Sequence, residues 1–115
     1  MVIKVARVNS NIDLLVLSIL NRHDEYTYEI IKTIKDISKG TIEIKEGTLY
    51  PIIYNLTKKE YISSYNIPHK NRIRVYYKIE PLGKQYLEVM RDQYRKNSQG
   101  VHAILDYGEG ENVNE

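Results

Sequence analysis

The sequence predicts a mainly α-helical fold with a small β-hairpin, arranged as a winged helix-turn-helix and continued by a long C-terminal helix suited to dimerisation. Three observations carry this expectation. Apolar residues recur at helical spacing in four separate stretches. The segment RIRVYYKI, between the third and fourth stretches, alternates strictly in period two. Pro51 and Pro81 fall near the starts expected of two helices, and Gly40 near the end of another.

The first helix is expected in SNIDLLVLSILNR, with Ser10 as its cap and Asp13 in the first turn, where negative charge favours the helix dipole. Leu14, Leu15, Val16, Leu17, Ile19 and Leu20 make it apolar nearly all round, so it should be buried on several sides. Residues 21–25 read as a polar connector. After them Ile30, Ile31, Ile34 and Ile37 repeat beside Glu29, Lys32, Lys35 and Asp36, an amphipathic second helix ending near Gly40. The alternation in TIEIK, residues 41–45, predicts a very short strand.

Pro51 constrains the third helix. Deep inside a helix proline removes a backbone hydrogen bond and clashes with the preceding turn, so the start is expected at about Gly47 or Thr48. At helical spacing Leu49, Ile52, Ile53 and Leu56 share one face, while Pro51, Tyr54, Asn55 and Lys58 lie opposite. One side belongs to a core and the other is presented. YISSYNI and RIRVYYKI then flank PHKN as a hairpin with a basic tip. Ile73, Val75, Tyr77 and Ile79 point to one face of it, and Arg72, Arg74, Tyr76 and Lys78 to the other.

Pro81 opens the fourth helix, whose stripe comprises Leu82, Tyr86, Leu87, Met90, Tyr94, Val101, Ile104 and Leu105. A helix of about 25 residues extends roughly 37 Å, longer than so small a domain can cover with its own core. The uncovered stripe therefore calls for a partner, and Gly100 interrupts it where the helix can bend or fray. The expected organisation is a reader at residues 1–80, a dimerisation helix at 81–106 and a disordered acidic tail at 107–115.

A length of 115 residues fits one domain, and 42% apolar with 28% charged residues fits a globular chain. No apolar run approaches the roughly 20 residues of a membrane span. The segment MVIKVARVNS lacks the apolar region of a secretory signal, and cysteine is absent, so a cytoplasmic protein without disulfides is expected. Net charge is only +2, but residues 1–105 carry 17 bases against 11 acids. Residues 58–78 hold six bases against Glu60 alone, which points to a polyanionic partner. His23, His69 and His102 lie far apart without metal-ligand spacing, and no nucleophilic triad, phosphate-binding glycine loop or paired-carboxylate motif stands out. Neither an enzyme nor a cofactor is expected.

The order of elements places the third helix to enter a major groove and the hairpin to reach phosphates or the minor groove beside it. Candidate DNA contacts are Thr48, Tyr50, Pro51, Tyr54, Asn55, Lys58 and Lys59 on the helix, with Lys70, Asn71, Arg72 and Arg74 on the hairpin. Thr48 can cap the helix or donate to a phosphate. Tyr50 and Tyr54 can pack beside the core or place hydroxyls on the DNA backbone. Asn55 is suited to pairing with adenine, and Lys58 and Lys59 are either helix-end cations or phosphate contacts. Leu15, Tyr86, Met90, Tyr94, Val101, Ile104 and Leu105 are expected at a dimer interface, where an aromatic and methionine lining would accept a flat hydrophobic effector.

GTLYPIIYNL at residues 47–56 resembles the G-T-L-Y-P signature of the PadR family. IDLLVLSIL and YTYEIIK are similar to that family's first two helices, and RVYYKIEPLGKQYL to its strand-to-helix passage. The resemblance extends over residues 10–105. Thr27 stands where many members carry glycine, Glu80 where a capping threonine is usual, and Tyr94 at a frequent tryptophan position. The resemblance implies a homodimeric bacterial repressor of inverted-repeat operators, released by small aromatic or cationic hydrophobic compounds. A winged-helix module that binds protein with the same face is the alternative the residues leave open.

Overall fold

The computed structural model describes residues 11–110, in the order α1 (Ile12–Arg22), α2 (Thr27–Ile37), α3 (Glu46–Lys58), β1 (Ile62–His69), β2 (Arg72–Ile79) and α4 (Pro81–Gly108). The cap expected at Ser10 and the acidic residues after 110 lie outside the described residues. Every buried core side chain among the described residues is Ile, Leu or Val. Helix α1 is the hub of this core. Ile12, Leu14, Val16, Leu17 and Leu20 are buried on it, and it packs against α2, α3, α4 and β2. Only a helix apolar nearly all round can serve so many neighbours.

Helix α2 is amphipathic as expected, burying Ile30 and Ile34. It ends in a turn where Gly40, at φ +79°, donates its N–H to the Lys35 carbonyl at 2.8 Å. Such a left-handed closing residue satisfies carbonyls the helix leaves open. Residues 41–45 form no strand, contrary to expectation. Their alternation has a different cause: Ile44 is buried in the core and Ile42 packs partly against it, while the backbone between α2 and α3 has no ladder partner. The third segment beside the hairpin lies instead between α1 and α2. Glu25 donates its N–H to the Tyr77 carbonyl at 3.2 Å, and Tyr77 donates to the Glu25 carbonyl at 2.8 Å.

Helix α3 begins at Glu46, one to two residues before the expected start, with Lys45 in the cap position. Thr48 is therefore inside the first turn and does not cap the helix. Pro51 sits in the second turn and, lacking an N–H, leaves the Gly47 carbonyl without its usual donor. Strands β1 and β2 pair antiparallel from Ile62↔Ile79 to His69↔Arg72. They close through Lys70 and Asn71, at φ 47° and 64°. Two successive left-handed residues make the mirror-image turn whose twist matches that of paired strands. Ile62 and Ile79 are buried, so the root of the wing is part of the core.

Helix α4 runs 28 residues, about 42 Å, and continues through Gly100 without a break. Tyr107 and Gly108, expected in the tail, belong to it. Its first turns are tied down closely. The Tyr86 ring stacks on Tyr61 at 4.6 Å, and its hydroxyl donates to Asp13 Oδ2 at 2.9 Å. Burial first, and then the bond to Asp13, push the Tyr86 phenol up to about 12. A folded-state value above the ordinary 10 means that this stabilisation is complete below pH 10 and disappears as pH rises through about 12. Leu87 is buried and Met90 packs partly on the core, after which the helix leaves the body of the domain.

At the start of α4, a Cβ on Gly83 would lie 2.1 Å from the Tyr61 carbonyl oxygen, so only glycine permits this approach. A Cβ on Gly100 would meet nothing within 4 Å. Gly83→Ala should lower the unfolding free energy by about 2 to 3 kcal/mol in urea titration, through overpacking against backbone. Gly100→Ala should raise it by about 0.5 to 1 kcal/mol by restricting the unfolded chain and favouring helix. Equal effects at the two sites would show that the α4 junction is not as tight as described.

Candidate nucleic-acid interface

Helix α3 divides its residues as its spacing requires. Leu49, Ile53 and Leu56 are buried and Ile52 is half-buried, while Thr48, Tyr50, Pro51, Tyr54, Asn55, Lys58 and Lys59 are exposed. Tyr54 is 68% exposed at the middle of the presented face. Tyr50 lies beside Tyr77 of β2, whose phenol is pushed up by burial and, secondarily, by that neighbour. The presented face offers hydroxyls, a side-chain amide and two ammonium groups, a donor set suited to phosphates and base edges.

On the wing, His69, Lys70, Asn71 and Arg72 are all exposed around the tight turn. Among the described residues, none of Lys58, Lys59, Lys70 and Arg72 is held by a carboxylate in an ion pair. Arg74 differs from them. It is half-buried, with its guanidinium 4.1 Å from the centroid of the Tyr26 ring. The structure therefore brings ten of the eleven expected contact residues to open surface and commits Arg74 to an internal cation–π contact.

That contact belongs to a clasp absent from the sequence-based expectation. Tyr26, directly after the backbone bridge at Glu25, meets Tyr76 edge-on at 5.4 Å, and Tyr76 stacks on Tyr65 at 5.8 Å. The Tyr65 hydroxyl donates to Asp24 Oδ2 at 2.7 Å, a bond that pushes its phenol up to about 12. The short connector before α2 thus grips the outer face of both strands. Eleven tyrosines with no phenylalanine or tryptophan were the available signal, since tyrosine is the aromatic that packs while keeping one end wet.

The residues expected at a dimer interface divide into two groups. Tyr86 and Met90 pack within their own chain, against Tyr61 and the core. Tyr94, Val101, Ile104 and Leu105 are exposed on the distal half of α4, joined by Tyr107 at 77% exposure. Met90 and Tyr94 border a shallow depression beside Asn11. Leu15 lines a separate apolar groove of about 600 Å³ between α1 and α2, with Ile19, Ile34, Ile37 and Ile42, and with Arg22 and His23 among its polar residues.

Among the described residues no helix is long and apolar enough to cross a membrane, and no group of three or more His, Cys, Asp or Glu side chains is placed to hold a metal ion. The model of the transcriptional regulator PadR-like family matches residues 16–89. The chain is 32% identical to a transcriptional regulator from Clostridium thermocellum, with a TM-score of 0.75 over 81% of this chain and 91% of that one. It is 31% identical to a PadR family transcription regulator from Clostridium difficile, with a TM-score of 0.72 over 84% of this chain and 99% of the other. It is also 35% identical to an uncharacterized protein of Lysinibacillus sphaericus, over 86% of this chain and 88% of that protein.

Proposed function

The chain belongs to the PadR-like family of transcriptional regulators, and from that premise we propose that it is a cytoplasmic homodimeric repressor of a palindromic operator, released by a small aromatic or hydrophobic effector. Membership makes it a DNA-binding regulator and not an enzyme. The observation that carries the finer reading is the presented face of α3 set beside a basic wing tip. Thr48, Tyr54, Asn55 and Lys58 are exposed on the helix, and Lys70 and Arg72 on the hairpin. In this reading Asn55 reads a base in the major groove, Thr48, Tyr50 and Tyr54 donate to the DNA backbone, and Lys58, Lys59, Lys70, Asn71 and Arg72 hold phosphates. Pro51 shapes the helix at the contact.

Residues up to Glu80 form the reader in this account, and α4 is the dimerisation helix. The exposed Val101, Ile104 and Leu105 support this, because a helix about 42 Å long cannot cover such a stripe with its own domain. A twofold pair would present its α3 helices to half-sites about 34 to 36 Å apart. Met90 and Tyr94 offer one apolar surface on which an effector between copies would rest, and Leu15, on the groove between α1 and α2, offers another.

Fluorescence anisotropy with operator and random duplexes at several salt concentrations tests the DNA reading. The logarithm of affinity should fall linearly with the logarithm of salt, because phosphate contacts release counterions. Lys58→Ala should weaken binding to both duplexes alike, whereas Asn55→Ala should mainly erode discrimination, by about 1 to 3 kcal/mol. Salt-independent affinity, or equal losses for Asn55→Ala on the two duplexes, contradicts these roles. For the dimer, Ile104→Asp should give a monomeric mass by light scattering with unchanged helicity; a persistent dimer would place the interface elsewhere.

A further inference from the structure

The inner face of the wing continues beyond the core that it helps to close. Along β2, Ile79 is buried and Tyr77 half-buried, but Val75 and Ile73 on the same face are 38% and 67% exposed. The register sets Pro68 of β1 opposite Ile73, so three apolar side chains form an uncovered strip at the tip. Ile67, on the other face, is 38% exposed. Ile73 lies outside the core, so burial within this domain does not account for it.

The surroundings of the strip indicate what meets it. His69, Lys70, Asn71 and Arg72 are exposed around the turn, and Glu60 is the one acid in residues 58–78. The strip continues the face of Ile79 and Tyr77, which packs on the same core as Leu49, Ile53 and Leu56 of α3. The hairpin is also rigidly held, by Ile62 and Ile79 in the core, by the Glu25 backbone bridge and by Tyr26 under Arg74. An apolar tip between cations matches the minor groove, whose walls are largely apolar sugars, whose rims are phosphate and whose base steps accept apolar wedges.

We propose that the wing tip is an apolar wedge for the minor groove: Pro68 and Ile73 seat against sugars and base edges, while Lys70 and Arg72 hold phosphates at the rims. The inference rests on the DNA-binding reading above and adds a source of specificity to it. A wedge deforms the duplex it enters, so flanks that deform easily are bound more tightly although no base there is read by hydrogen bonds. Pyrimidine–purine steps, TpA above all, are the favoured sequences at the wing.

The test uses the full chain and two operator duplexes that differ only in the flank facing the wing, one with a TpA step and one with a G·C run. Wild-type protein should prefer the TpA flank by about tenfold, the order of effect of one unfavourable base pair. Ile73→Ser, at an exposed site, should reduce that preference to less than about twofold and lessen the operator bend in circular-permutation gels, while retaining salt-dependent binding. Lys70→Ala should weaken both duplexes equally. No flank preference in the wild type, or preference and bend unchanged in Ile73→Ser, overturns the wedge alone. A change in self-association by Ile73→Ser with unchanged DNA behaviour overturns it in favour of a protein contact. Absence of salt-dependent binding to any duplex would remove the regulator reading and the wedge with it.

Discussion

Packing of α1 against four neighbours sets the geometry of everything attached to it. Leu14, Val16, Leu17 and Leu20 serve different neighbours from one rod, so α2, α3, β2 and the start of α4 share a single reference. Aliphatic interiors pack at the density of organic crystals and do not yield smoothly, so a shift of one neighbour is resisted by the others. The presented face of α3 and the wing keep a fixed relation because both are rooted in this core, through Leu49, Ile53 and Leu56 on one side and Ile62 and Ile79 on the other. A DNA reader needs that relation, since its helix and its hairpin must meet one duplex together.

Tyrosine does what the aliphatic core cannot. The chain has eleven tyrosines and no other large aromatic, and several of them occupy the half-wet junctions. Tyr61 and Tyr86 join the wing root to α4 and, through Asp13, to α1. Tyr26, Tyr65 and Tyr76 join the connector before α2 to the wing. The same connector reaches the groove between α1 and α2, because His23 lines it while Asp24 and Tyr26 hold the hairpin. Distances between elements are thus set by aliphatic contacts, and orientations by phenols with carboxylate or guanidinium partners.

Much of this architecture was legible because burial leaves a period in the chain. The two faces of α3 and the two faces of the hairpin follow from spacings of 3.6 and 2. Where the expectation failed, the physical signal was absent or had two meanings. Ile42 and Ile44 alternate like a strand because a loop buries them, whereas the true third segment at Glu25 is held by backbone bonds that impose no side-chain pattern. Tyr86 lies on the apolar stripe of α4, but a stripe does not disclose whose core it enters, and here it enters its own. Arg74 alternates outward with Arg72 and Lys78, yet the ring beneath it comes from a residue far away in the chain. Gly100 lowers helix propensity without ending the helix, because one glycine costs only about 1 kcal/mol relative to alanine.

If α3 and the wing form one rigid surface for duplex DNA, both must respond to it together. Chemical-shift mapping of isotopically labelled protein during titration with an operator duplex reads that response residue by residue. The amides of Thr48, Tyr54, Asn55 and Lys58 should shift together with those of Lys70, Asn71 and Arg72, at one common affinity, while those of the buried α1 residues stay in place. Shifts confined to α4, or to the helix with the wing unaffected, would contradict it.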